Sequence, residues 1–167
     1  RVVTRRPTYG GRLEKNMDYN LIYTPDEIRG YIGNAGVVAF DFETAPDDAW
    51  RDEPKAALDA HKAHIVGISM SVAESSAAYV PLAHKVGVNA AAPAVILECL
   101  RETVFENLNV VKVAHNLSFE AMFLYALGIV VCGPCYDTIA AVQLTLKSKF
   151  EFRDLHDSGL KLLSTSL

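Results

Sequence analysis

The chain has 167 residues, half of them hydrophobic and 22% charged, with a formal net charge of −4. Such a composition supports one globular domain with its own core and excludes a general nucleic-acid coating protein, which needs a strongly positive surface. The longest apolar runs stop well short of a membrane span and no signal-peptide pattern is visible, so the expectation is a cytoplasmic protein with no membrane partner.

The first 15 residues depart from the acidic average, with Arg1, Arg5, Arg6, Arg12 and Lys15 against the single acid Glu14. A basic arm over residues 1–18 can track phosphates, or it is simply a terminal tail. The chain opens on Arg1 rather than Met, and residues 160–167 stop inside an amphipathic pattern. Both ends are therefore expected to be cuts in a longer protein. Residues 19–23 alternate as a short strand. Thr24-Pro25-Asp26-Glu27 then starts a helix, with Thr24 as cap, Pro25 at the first position and Glu27 closing a capping box; it should end near Gly33.

Residues 37–43 follow as a buried strand, Val-Val-Ala-Phe-Asp-Phe-Glu. Side chains alternate along a strand, so Asp41 and Glu43 point to one side and repel unless a cation lies between them. A divalent metal held by oxygen ligands is one answer; two solvated acids at a strand end are the other. The polar segment 45–63 contains Trp50 and a possible short helix over 54–61. Strands are expected at 64–72 and 77–82, which together with 37–43 form an antiparallel meander. A loop over 83–92 carries His84 and Lys85.

Residues 93–108 have helical periodicity, residues 110–114 read as a buried strand, and a second amphipathic helix runs from about Ser118 to Gly128. Ile129 to Val131 is a short apolar run in the position of a further strand. A helix follows over 137–147, and Ser158 is placed to cap a last one. The order is βα, βββ, αβαβα: an α/β, RNase H-like mixed sheet, with an antiparallel meander and parallel strands, flanked by helices.

Asn116 and Glu120 sit where the chain leaves the 110–114 strand, the kind of crevice in which open α/β sheets hold ligands. The plain alternative is that Asn116 caps the helix and Glu120 complements its dipole. Cys132-Gly133-Pro134-Cys135 has the residues of a thioredoxin redox motif, but no Trp precedes it and the upstream order is wrong, so it reads as a connector. His61 and His64 have a spacing that binds metal only on a helix, whereas His64 starts a strand.

Taken together, Val38-Ala39-Phe40-Asp41-Phe42-Glu43-Thr44, Val113-Ala114-His115-Asn116-Leu117-Ser118-Phe119-Glu120 and Tyr136-Asp137-Thr138 resemble, in order, the motifs of the 3′-5′ proofreading exonuclease domain of family A DNA polymerases, a DEDD-type nuclease of bacteria and phages. Ile65 to Ser69 and Ala78 to His84 look like that family's second and third strands. The resemblance covers residues 19–167. It implies a two-metal site, Mg²⁺ or Mn²⁺, in which one ion activates water and the other stabilises the departing 3′-oxyanion. By the same resemblance Asp41 bridges both ions, Glu43 holds the nucleophile-side ion, and Glu120 supports the second through water. Backbone at Thr44 and the Asn116 side chain would hold the terminal nucleotide, with His84 and Phe119 as further substrate contacts. The family usually has Asp where this chain has Glu120, and its third motif, a Tyr followed four residues later by Asp, is not found after Asp137.

The implied function is 3′-5′ hydrolysis of single-stranded DNA, with a polymerase portion C-terminal to this domain. Two alternatives stand beside it. One is a degenerate domain that scaffolds or binds single strands; the other is a stand-alone RNase D-like enzyme acting on RNA 3′ ends.

Overall fold

The computed structural model describes residues 18–146. The basic arm and the helix expected from Ser158 lie outside the described residues. Within them a six-stranded sheet has the order β1-β4-β3-β2-β5-β6. The strands are β1 Asp18–Leu21, β2 Val37–Pro46, β3 Ala63–Ser71, β4 Ser76–Pro81, β5 Val111–Ala114 and β6 Cys135–Asp137; the helices are α1 Pro25–Ile32, α2 Pro93–Leu100, α3 Leu117–Ala126 and α4 Thr138–Leu146. β2, β3 and β4 form the expected antiparallel meander, and β5 and β6 add in parallel beside β2. β1 returns to the far edge, parallel to β4. This is the RNase H-like α/β arrangement.

The start of α1 follows from four residues. Thr24 Oγ1 accepts from the Glu27 amide at 3.3 Å, and Glu27 Oε2 accepts from the Thr24 and Tyr23 amides at 3.0 and 2.8 Å. Thr24→Ala is expected to cost about 1 kcal/mol of stability, since it removes one cap bond from an exposed helix start. A denaturant melt with an unchanged midpoint would show that α1 is held by its packing alone.

β2 sets the two-sided character of the sheet. Val38, Phe40 and Phe42 are buried, while Asp41 and Glu43 lie on the opposite, exposed side. On the buried side Phe105 meets Phe40 edge-on at 5.2 Å between ring centroids and Phe42 at 6.1 Å. The helix expected over 93–108 does not continue as one α-helix to reach that position. It ends at Leu100 and passes into a π-turn, Arg101–Phe105, closed by the Glu106 amide on the Arg101 carbonyl at 2.9 Å. The wider turn puts Val104 and Phe105 into the core.

Two further expectations are corrected. Segment 54–61 holds only a 3-10 turn, Ala56–Leu58, because Lys55 adopts a left-handed φ of 66° that a continuous helix cannot accommodate. Ile129 to Val131 is not a strand; Ile129 is a core residue, and the strand comes later, where Cys135, Tyr136 and Asp137 pair with Lys112, Val113 and Ala114. Ile129 enters the core and Val130 is exposed, while the less apolar run supplies the edge. Between them, Gly133 passes so close to the Leu108 backbone that a Cβ would lie 2.9 Å from its Cα. Lys112 is fully buried beneath this connector, and its ammonium donates to the carbonyls of Asn107 and Cys132. Burial pulls its pKa down. Cys135 opens a strand instead of a helix, so it lacks the helix N-terminus that activates a thioredoxin-type thiol.

Candidate active site

β5 pairs with β2 only along Val37, Val38 and Ala39, and the two strands then part. Asp41 stands just beyond that point, and the turn after β5 carries His115, Asn116 and the start of α3. The resulting crevice is bounded by β2 on one side and the N-terminus of α3 on the other. It is where the connection between parallel strands in such sheets leaves room for a ligand.

Glu120 comes from the first turn of α3 and is 2% exposed, with its Oε2 buried and unpartnered by any hydrogen bond. Burial, reinforced by the charges of Asp41 and Asp137, raises its pKa to about 7, although a backbone hydrogen bond opposes the rise. Asp41 is raised as well, by burial at the sheet surface and by the charge of Glu43, with His115 opposing. Asp41 thus feels Glu43, and Glu120 feels both Asp41 and Asp137.

Asp137 does the capping that the sequence assigns to Asn116. Its Oδ1 accepts from the Asn116 and Ile139 amides and its Oδ2 from the Leu117 amide, all at 3.0 Å. One carboxylate on β6 thus holds the start of α3 as well as that of α4. Asn116 has a left-handed backbone, φ 71°, and its side chain makes no cap bond, which leaves the amide exposed to the crevice. Asp-Thr ahead of an apolar helix gives a sequence signal for the α4 cap. The bond to α3 has none, because it depends on β5 and β6 being neighbours.

His115 is fixed by similar means. Its Nδ1 lies 2.8 Å from Thr138 Oγ1, and that hydroxyl donates to the Ala114 carbonyl at 3.2 Å. A hydroxyl has one proton, so His115 Nδ1 is the donor and Nε2 is left buried and without a partner. The other proposed contacts are less open. Thr44 Oγ1 donates to the Ala57 carbonyl at 2.7 Å, which leaves its backbone as the available group. Phe119 packs against Phe123, ring centroids 5.0 Å apart. His84 lies across the meander, its Nε2 2.6 Å from Tyr79 Oη. His64 pairs with Asp47 at 2.6 Å, and Lys62 covers the Trp50 ring at 4.9 Å.

Among the described residues, no group of three or more His, Cys, Asp or Glu side chains is clustered as a ready-made metal cage. Mg²⁺ sites seldom need one; they use one or two carboxylates, waters and substrate phosphates. Asp41 and Glu43 on one exposed face, with the unpartnered oxygen of Glu120 nearby in electrostatic terms, fit that kind of donor set. Two cavities, of about 440 and 880 Å³, lie away from these acids: one beside Arg29 and Asn109, the other an apolar groove between Leu58 and Met122.

Comparison with known proteins agrees with the fold. NrnC of Brucella melitensis superposes with a TM-score of 0.59 at 16% identity, covering 90% of this chain and 62% of NrnC. RNase D of Trypanosoma brucei in complex with RNA U12 gives a TM-score of 0.57 at 14% identity, covering 76% of this chain and 40% of the enzyme. The Aedes aegypti Nibbler EXO domain gives 0.54 at 14%, with 87% of this chain and 64% of that domain covered. The chain thus spans less than two thirds of each of these three proteins. NrnC structures include one with bound Mg²⁺ and one bound to pGG. Among curated proteins none matches the sequence significantly.

The sheet order and its flanking helices define an α/β fold of the RNase H-like exonuclease type. The family model described as 3′-5′ exonuclease matches residues 23–166, so the chain belongs to the 3′-5′ exonuclease family. Exonucleases of this kind use divalent metal ions. The narrower expectation of a polymerase proofreading domain is not matched by the three structures compared, which are NrnC, RNase D and Nibbler.

Proposed function

We propose that this chain is the catalytic domain of an exonuclease that removes nucleotides one at a time from the 3′ ends of single strands. The observation that carries the reading is that Asp41 is coupled electrostatically to Glu43 on its own strand and to the buried, unpartnered carboxylate of Glu120 on α3. Asp41, Glu43 and Glu120 are the residues that would hold Mg²⁺ or Mn²⁺. When bound, such ions supply an activated water and neutralise charge on the leaving oxygen.

The chain's own residues do the rest. Asp137 sets the direction of α3 through the Asn116 and Leu117 amides, and so sets where Glu120 stands. The exposed side-chain amide of Asn116 and the Thr44 backbone flank the crevice and hold the terminal nucleotide. Buried His115 Nε2 is placed to hydrogen-bond a hydroxyl or water admitted there, because a buried polar atom without a partner is destabilising. The parting of β2 and β5 admits one strand end.

Sequence motifs favour DNA as the substrate, with a polymerase portion C-terminal to this domain. A second reading, an enzyme acting on RNA 3′ ends, is favoured by the likeness to RNase D bound to RNA U12 and to NrnC bound to pGG. The deciding assay uses single-stranded DNA and RNA of one sequence, labelled at either end, with Mn²⁺ or with chelator. Stepwise shortening from the 3′ end in Mn²⁺ and none in chelator is the expected result, and the faster strand names the substrate. Internal cuts, or shortening that persists in chelator, would overturn the proposal.

A further inference from the structure

Asp41, Ser69 and Tyr79 lie in one row across β2, β3 and β4, and Glu43, Gly67 and Pro81 lie in the next. Directly paired residues of an antiparallel sheet put their side chains on the same face, so Tyr79 rises from the face that carries Asp41 and Glu43. Its ring does not stand upright. A Cβ on Gly67 would lie 1.8 Å from Tyr79 Oη and 2.4 Å from Cζ, so the phenol lies across Gly67, the residue directly opposite Glu43. Glycine inside a strand marks such a close approach, and here it provides the space the ring occupies.

The end of the ring is held. Tyr79 Oη and His84 Nε2 are 2.6 Å apart, and His84 is held in turn by Asn89, which accepts from its amide and donates to its carbonyl, each at 2.8 Å. The same Gly67 Cβ would come within 3.1 Å of His84 Nε2, so phenol and imidazole close over the glycine together. Next to Glu43 the β2–β3 register slips by one residue, from Glu43 opposite Gly67 to Thr44 opposite Ile65, which leaves Val66 without a β2 partner. Bulges of this kind re-aim the adjacent side chain. The flexible Glu43 therefore leaves the sheet beside a fixed aromatic wall.

We propose that Tyr79 and His84 form a positioning pair for Glu43, acting as a wall over Gly67 that holds its carboxylate in the direction of Asp41. The inference rests on the exonuclease reading of the site. Neither residue is a metal ligand in it; both act through Glu43, as groups behind a ligand do when they fix its orientation. A side chain with three rotatable bonds must be held to bind an ion repeatedly in one geometry, and the sequence next to Glu43 offers no such restraint.

The test uses the full chain, with Mn²⁺ affinity measured by titration calorimetry and the 3′-end assay run alongside. Gly67→Ala leaves every polar group in place but displaces the ring. It is expected to weaken Mn²⁺ binding about 10-fold and to lower kcat by a similar factor, with KM for the oligonucleotide within about twofold, in line with losses behind metal ligands. Tyr79→Phe keeps the ring and removes its tether; a loss of about threefold in the same two quantities is expected. Adding His84→Gln to Tyr79→Phe should cost nothing more, since the two act as one unit. If Gly67→Ala does not fold, Tyr79→Phe and the double variant decide the matter. Parental Mn²⁺ affinity in the variants overturns the inference, as does a rise in KM alone, which would make the wall a substrate contact. Failure of the parent chain itself to bind Mn²⁺ or shorten a strand sinks the exonuclease reading instead, so the two failures are distinct.

Discussion

Asp41→Ala is expected to lower the rate of 3′-end hydrolysis on the order of 10³-fold and to remove most of the Mn²⁺ binding. Asp41 lies on β2 two residues before Glu43, and its charge is felt by Glu120 on α3. Its pKa is raised by burial first and by the charge of Glu43 second, with His115 opposing. Deleting Asp41 removes the acid that is coupled to both Glu43 and Glu120. Metal stabilisation of developing charge is worth several kcal/mol, and each 1.36 kcal/mol is a factor of ten in rate. Initial rates on 3′-labelled single strands in Mn²⁺, with calorimetry on the same preparations, measure the change. A rate within about threefold of the parent would place the chemistry elsewhere on the molecule.

Glu120→Gln should change the pH dependence of folding in chelator and the response to metal in opposite senses. The Glu120 carboxyl has its pKa raised to about 7, from an ordinary value of 4.5. Below the lower value it is protonated whether folded or not and contributes no slope. Between the two, the unfolded chain releases a proton that the folded chain retains, so stability falls as pH rises. Above pH 7 the loss is constant, on the order of 3 kcal/mol from the separation of the two pKa values. The charges behind this are Asp41 on β2 and Asp137 on β6, with burial the largest cause. Glutamine cannot ionise, so denaturant melts of the variant should lose that decline between about pH 5 and 8. Mn²⁺ should stabilise the parent at pH 8 and the variant much less. Equal slopes in parent and variant would mean that Glu120 is solvated in the folded protein.

The carboxylate pair was legible because it depends on a period of two. Once 37–43 is a strand, Asp41 and Glu43 must share a side, and Val38, Phe40 and Phe42 must take the other. The capping box at Thr24 and the helix that starts at Pro93 were legible for the same reason: residues within four positions of one another decide them. The ends of the meander strands fall within one residue of their expected places, except that β2 runs three residues past 43 to Pro46, since turn residues and alternation are local signals. The placement of β6 was not. Ile129 to Val131 and Cys135 to Asp137 are both short runs before α4, and only the order of the sheet shows that the second pairs with β5 while Ile129 enters the core.

The candidate site divides in the same way. Asn116 and Glu120 could be located beside a strand end from the sequence, yet what each does was decided by contacts across the fold. Asp137, 21 residues beyond Asn116, takes over the helix cap and frees the Asn116 side chain. Burial under the crevice leaves Glu120 without a partner, and Gly67 makes room for a tyrosine that its own strand does not bear. The sequence by itself determined the α/β class, the paired acids of β2 and the family. Tertiary structure alone decided which groups are buried, which are tethered and which remain free to meet a ligand. Alternation and capping act between near neighbours in the chain, whereas desolvation and cross-strand contact act between residues that only the order of the sheet brings together.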